Sequence, residues 1–245
     1  MILSLLQMDL PMNILIGLFV IHLFCVVLAL TLHEFAHGYV AYKMGDPTAK
    51  QQGRLSLNPM VHLDPVGFIM MLLVGFGWAK AVPVNTFQMR NPRKGLGLTS
   101  LAGPAMNLCI ALVAGVIAGL LAEPAMVSTL SSGEMTPIYV AYYFMAMLCQ
   151  LNIGLALFNL IPLPPLDGSN IVVSLLPPNK AAKYMQIRYY TRYIFLGIMV
   201  ISLLADRIAL FARLDYIIWY PFMYVRDLLW GWFSDWGYAL FELFT

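Results

Sequence analysis

His33-Glu34-Phe35-Ala36-His37 lies inside an apolar run from about Pro11 to Tyr42, and that placement decides the fold. Two histidines four apart lie on one face of an α-helix, about one turn from each other. Their imidazoles can share one metal ion, with the intervening glutamate near the same point. The run is long enough to cross a bilayer. It stops at Lys43-Met44-Gly45-Asp46-Pro47, where Gly and Pro end a helix. Ionisable groups at membrane depth are costly, so these three are a functional site by default.

The rest of the chain agrees with a membrane setting. Of its 245 residues, 61% are hydrophobic and 11% charged, and the mean hydropathy is +0.78. A soluble domain carries about 25% charged residues, so this composition describes a multi-spanning membrane protein. A net charge of +2 gives no argument for a nucleic-acid partner. Residues 1–10 contain no Lys or Arg, and the first apolar run is about three times longer than a signal-peptide core, so no cleaved leader is expected. Cys25, Cys109 and Cys149 fall at wide spacing in apolar segments and read as small buried residues.

Further spans are expected over 96–122, rich in small residues that pack closely in lipid, over 137–160, and over 188–205. Between the first two, residues 60–77 are apolar but interrupted, and the run Val66–Phe76 is too short to cross; a re-entrant or interfacial segment fits. Residues 78–87 read as extended, with Pro83 suited to an edge. The aromatic stretch 214–245 reads as a C-terminal interfacial or membrane helix. The expected fold is an all-α polytopic bundle of about four to six transmembrane helices, with residues 1–245 forming one membrane-embedded domain whose core covers about 12–205. The expected location is the cell membrane, as a multi-pass protein. The oligomeric state stays open.

Positive charge orients the bundle. Loops 43–59 (Lys43, Lys50, Arg54), 78–95 (Lys80, Arg90, Arg93, Lys94) and 178–192 (Lys180, Lys183, Arg188, Arg192) are basic, whereas 123–136 carries Glu123 and Glu134. The basic loops are expected on the cytoplasmic side, so the segment between the first two dips in and returns. His33 then lies about 15 Å of helix rise from the cytoplasmic end of its helix. Asp167 lies just past the cytoplasmic end of 137–160, on the same side.

Catalytic zinc takes three protein ligands and keeps a fourth position for water. His33 and His37 supply two. The third candidate is Asp167, in Ile161-Pro162-Leu163-Pro164-Pro165-Leu166-Asp167-Gly168, whose prolines forbid regular helix. Irregular backbone at membrane depth must line a cavity or lie against protein. Asp-Gly is also a common turn pair. Glu34 is placed to take a proton from a zinc-activated water and pass it to the leaving amine. Asn107 and Asn159 admit interhelical hydrogen bonding, and Asn159 also admits a donor role toward the scissile carbonyl oxygen. His62 is expected to cap or bond Asp64 and is the reserve ligand. His22, about 16 Å of helix rise from His33, reads as structural.

Taken together these residues resemble the site-2 proteases, intramembrane zinc metalloproteases. His33-Glu34-Phe35-Ala36-His37 looks like the family's metal motif. Asn159 through Asp167-Gly168 looks like its second motif, with Asn eight positions before the Asp, and Gly103-Pro104-Ala105-Met106-Asn107 resembles its intermediate motif. The three occur in the family's order across about 12–205. The resemblance implies one zinc ion per chain on His33, His37 and Asp167, Glu34 as general base, and a three-helix core. It also implies a small membrane-associated β segment between the first two core helices, where 78–87 falls. The short loop 123–136 and the lack of a large C-terminal domain resemble the compact prokaryotic-type subgroup.

The expectation is a metalloendopeptidase that cuts a transmembrane protein or peptide within the lipid bilayer, near its cytoplasmic face. Two rivals stand beside it. A membrane metal-ion transporter would distribute its ligands along several helices, whereas here they cluster at one depth. A non-catalytic homologue acting as a binding module would lack Glu34 or a ligand, and all four residues are present.

Overall fold

The computed structural model describes residues 10–74, 77–132, 135–205 and 208–244. The reading of residues 1–9, the positions 75–76 and the Glu134 contribution to loop charge lie outside them. The protein is all-α. Among the described residues three helices are long and apolar enough to cross a membrane: α1 (Met12–Met44), α3 (Pro92–Ser132) and α4 (Pro137–Asn159). Between α1 and α3 lies α2 (Pro65–Val74), and after α4 come α5 (Asp167–Leu175), α6 (Pro178–Met185), α7 (Arg188–Leu204) and α8 (Ala209–Phe244).

Local chemistry sets the helix ends. α1 closes in a Schellman motif: Gly45, at φ 108°, donates to the Tyr42 carbonyl, and Asp46 donates to that of Ala41. A side chain at Gly45 would be strained in that left-handed conformation. α4 starts at Thr136, whose hydroxyl accepts from the Tyr139 N–H, with Pro137 in the first turn.

α3 runs ten residues further than the expected 122, through Pro104 and Pro124, so the loop at 123–136 is largely helical. Proline removes one helical hydrogen bond, but packing overrides it. α8 crosses α3 backbone to backbone at Gly119 and Gly237. A Cβ on Gly119 would stand 2.0 Å from the Ser234 carbonyl, and one on Gly237 would stand 2.0 Å from that of Val116. The C-terminal helix therefore packs on the bundle, passing through Pro221 on the way. The core gathers Cys25, Ala111, Ala114, Leu148, Cys149 and Ile153 from α1, α3 and α4, with Leu229, Trp230 and Phe233 of α8 against it.

α2, with about 15 Å of rise, is too short to span. The expected β segment is reduced, among the described residues, to one antiparallel bridge between Leu63 and Ala79, next to a hydrogen bond from Lys80 N–H to the His62 carbonyl. α7 is helical over Arg188–Leu204, where the expected segment 188–205 falls.

Candidate metal centre

The site is made where α1, α3 and the start of α5 meet. His33 and His37 lie one turn apart on α1, and both are buried because α3 covers this half of the helix. Their rings are edge-to-face, with the Nε2 atoms 3.0 Å apart. Asp167 Oδ2 lies 3.2 Å from His33 Nε2 and 3.1 Å from His37 Nε2. Among the described residues this is the one such group of possible metal ligands.

Each ligand candidate is held from behind. Nδ1 of His37 donates to the Thr99 carbonyl at 2.6 Å, which leaves its Nε2 with a lone pair. Nδ1 of His33 faces Asn107 Oδ1 at 2.5 Å. Asp167 is the first residue of α5, where Gly168 lets the chain touch the preceding turn: a Cβ there would stand 2.2 Å from the Leu160 carbonyl. At the far end of α5, Arg93 reaches from α3 to the carbonyls of Ser174, Leu175 and Leu176, each at 2.6 Å.

The donor set fits a cation. The Asp167 carboxylate faces the inner nitrogens of both imidazoles. Its Oδ2 is buried and accepts no hydrogen bond. With each Nδ1 bonded to an acceptor behind it, the two Nε2 atoms and the carboxylate oxygen come within 3.0–3.2 Å of one another, an arrangement that fits a shared cation. Tetrahedral zinc with ligands at about 2.0–2.1 Å holds them roughly 3.3 Å apart. Gly103 keeps the point open, because a Cβ there would lie 2.4 Å from His37 Nε2 and 2.6 Å from His33 Nε2.

Glu34 is buried beside this group, and its Oε2 accepts from the Val82 N–H at 2.9 Å. The extended segment that offers this donor is tied down on several sides. Arg54 donates to the Lys80 and Ala81 carbonyls at 2.5 and 3.2 Å, and the fully buried Asp46 accepts from Asn85 N–H at 2.6 Å. Neither Arg54 nor Asp46 carries a motif, and a backbone amide such as that of Val82 leaves no mark in a sequence.

A cavity of about 1040 Å³ opens beside His33 and Glu34, walled by Trp78, Phe158, Asn159 and Trp219 among others. Asn159 ends α4 on this wall, with its Nδ2 donating to Leu155 O at 3.0 Å. His22 lines the cavity but stands outside the metal group. His62 does not pair with Asp64: its Nε2 bonds the Ser56 carbonyl at 2.7 Å, while Asp64 caps the Gly67 N–H at the start of α2.

Residues 21–202 match the family model described as Peptidase family M50. A Bacillus subtilis (strain 168) protein named "Putative zinc metalloprotease YwhC" is 44% identical over 179 residues, covering 72% of this chain and 78% of that one. Proteins named "Putative zinc metalloprotease Rip2" are 32% identical over 158 residues in Mycobacterium tuberculosis (strain Erdman) and 29% identical over 160 in Mycolicibacterium smegmatis. Both matches cover 62% of this chain and 56% of the Rip2 protein. No solved structure gives a significant match.

Proposed function

The chain belongs to peptidase family M50, the site-2 proteases, and from that premise we propose that it is an intramembrane metalloendopeptidase of the cell membrane that cuts a transmembrane protein near its cytoplasmic face. His33, His37 and Asp167 would hold one zinc ion, within a single domain of residues 1–245. The observation that carries the reading is the convergence of two imidazole nitrogens and a carboxylate oxygen within 3.0–3.2 Å of one another, beside a buried glutamate and at the wall of a cavity.

Bound there, zinc supplies a Lewis acid and brings the pKa of water to about 7. The chain's own residues do the rest. Glu34 accepts the proton of the attacking water and delivers it to the leaving amine. The Val82 N–H fixes its carboxylate. The cavity takes the substrate backbone out of lipid, where bare N–H and C=O groups cost several kcal/mol each. Asn159 is placed on the wall to donate to the developing oxyanion, provided that its amide leaves Leu155.

The deciding experiment measures zinc content and cleavage of a model transmembrane substrate in detergent. Glu34→Gln is expected to slow cleavage by about 10²–10⁴-fold and to keep zinc near one per chain. Wild-type turnover in that variant would remove Glu34 from the chemistry. Zinc transport by reconstituted protein without cleavage would favour the transporter.

A further inference from the structure

We propose that Asn152 on α4 is a positioning residue for the metal centre, acting through Asn107 and His33 without touching ion or substrate. A line of buried hydrogen bonds crosses three helices. Asn152 Nδ2 lies 2.8 Å from the Leu148 carbonyl of its own helix. Asn107 Nδ2 on α3 lies 2.6 Å from Asn152 Oδ1, and Asn107 Oδ1 lies 2.5 Å from His33 Nδ1 on α1. Both amides are 0% exposed, so bulk water does not compete for these bonds.

The direction of the whole line follows from its first member. A backbone carbonyl can only accept. Asn152 must therefore present its NH₂ to Leu148 and its oxygen to Asn107. Asn107 must then present its NH₂ to Asn152 and its oxygen to His33. An acceptor at that place requires the proton of the neutral imidazole to be on Nδ1, which leaves the lone pair on Nε2, facing His37 and Asp167. Turning Asn152 over would set oxygen against the Leu148 carbonyl and NH₂ against NH₂, and turning Asn107 over would set its oxygen against that of Asn152. His37 reaches the same state by a shorter route, directly on the Thr99 carbonyl. His33 has a side chain behind it, and that side chain has two possible faces. Asn152 selects between them.

The inference rests on the reading of His33 as a metal ligand. Its test is zinc affinity, measured on the full chain in detergent after chelator stripping, by competition with a chromophoric chelator. Loss of an outer partner of a metal-binding His typically weakens metal binding about 10–100-fold. Asn152→Ala is expected at the low end, near tenfold. The second arm repeats this in an Asn107→Asp background. A carboxylate presents only acceptors, so it needs nothing to aim it, and Asn152→Ala should then cost less than about twofold.

An equal loss in both backgrounds would make Asn152 a packing residue and overturn the inference. So would an unchanged affinity in Asn152→Ala alone. Should the alanine variant fail to fold, Asn152→Leu keeps the branched shape of the side chain without its polar atoms and carries the same expectations. His33→Ala separates the two readings: zinc affinity unchanged by that substitution would remove the metal centre itself.

Discussion

α1 is one continuous helix with two unlike halves. Along its first half Met12 is 63% exposed, Ile16 57%, Val20 55% and Phe24 58%, a stripe four residues apart that the described residues leave largely open. Along its second half His33, Glu34 and His37 are 4–8% exposed. Backbone geometry is common to both halves, and both are apolar in sequence apart from a few residues. What separates them is α3, whose Thr99, Gly103 and Asn107 face the second half. They supply a backbone carbonyl, an open space and an amide oxygen. The ionisable residues are tolerable at this depth because each has a specified partner, and that is also why substitution there should be severe.

The comparison breaks most sharply at the proposed ligands. His37→Ala or Asp167→Ala should abolish cleavage and lower bound zinc together. A variant of Asp167 with full zinc and full rate would show that the third ligand lies elsewhere. Gly103→Ala comes next. In a helix Ala is favoured over Gly by up to about 1 kcal/mol, yet this Cβ would push into both imidazoles. Zinc affinity should fall by about tenfold or more while the helix loses nothing, read by chelator competition beside a circular-dichroism melt.

Asn159→Ala should slow turnover by about 10²–10³-fold with zinc retained, if its amide serves the oxyanion. An unchanged rate would leave it as the helix-end residue that its bond to Leu155 describes. The smallest effect belongs to the outer half of α1. Gly17 has nothing within 4 Å of its would-be Cβ, so Gly17→Ala should leave zinc and cleavage unchanged and raise helix stability by no more than about 1 kcal/mol. One substitution at two glycines thus tests the difference between the two surroundings.

The same contrast explains what the sequence makes visible. His33, Glu34 and His37 stand out because they violate their solvent, and Asp167 because prolines break the helix before it. The limits of α1 and α4 lie within two residues of expectation, since Gly45 and the Pro162 region act locally. α3 continues to Ser132, past the expected 122, and its contact with α8 at Gly119 joins segments distant in sequence. The tie between Val82 and Glu34 and the Thr99 carbonyl behind His37 use backbone atoms, which every residue has. Asn152 is visible only as a polar residue in an apolar helix; its meaning needs the positions of Asn107 and Leu148.

The clamp that Arg93 places on the end of α5 bears on how the protein is made. A chain is synthesised from its N-terminus, so both histidines exist 130 residues before Asp167 does. Two imidazoles on a lone α1 make an incomplete site. The carboxylate arrives only once α5 has docked beneath α3, held by Gly168 at one end and by the arginine fork at the other. Tight retention of an ion by all three ligands would therefore mark a finished molecule. Its binding free energy would act on the final docking step, so that a half-assembled chain remains metal-poor and inert in the membrane.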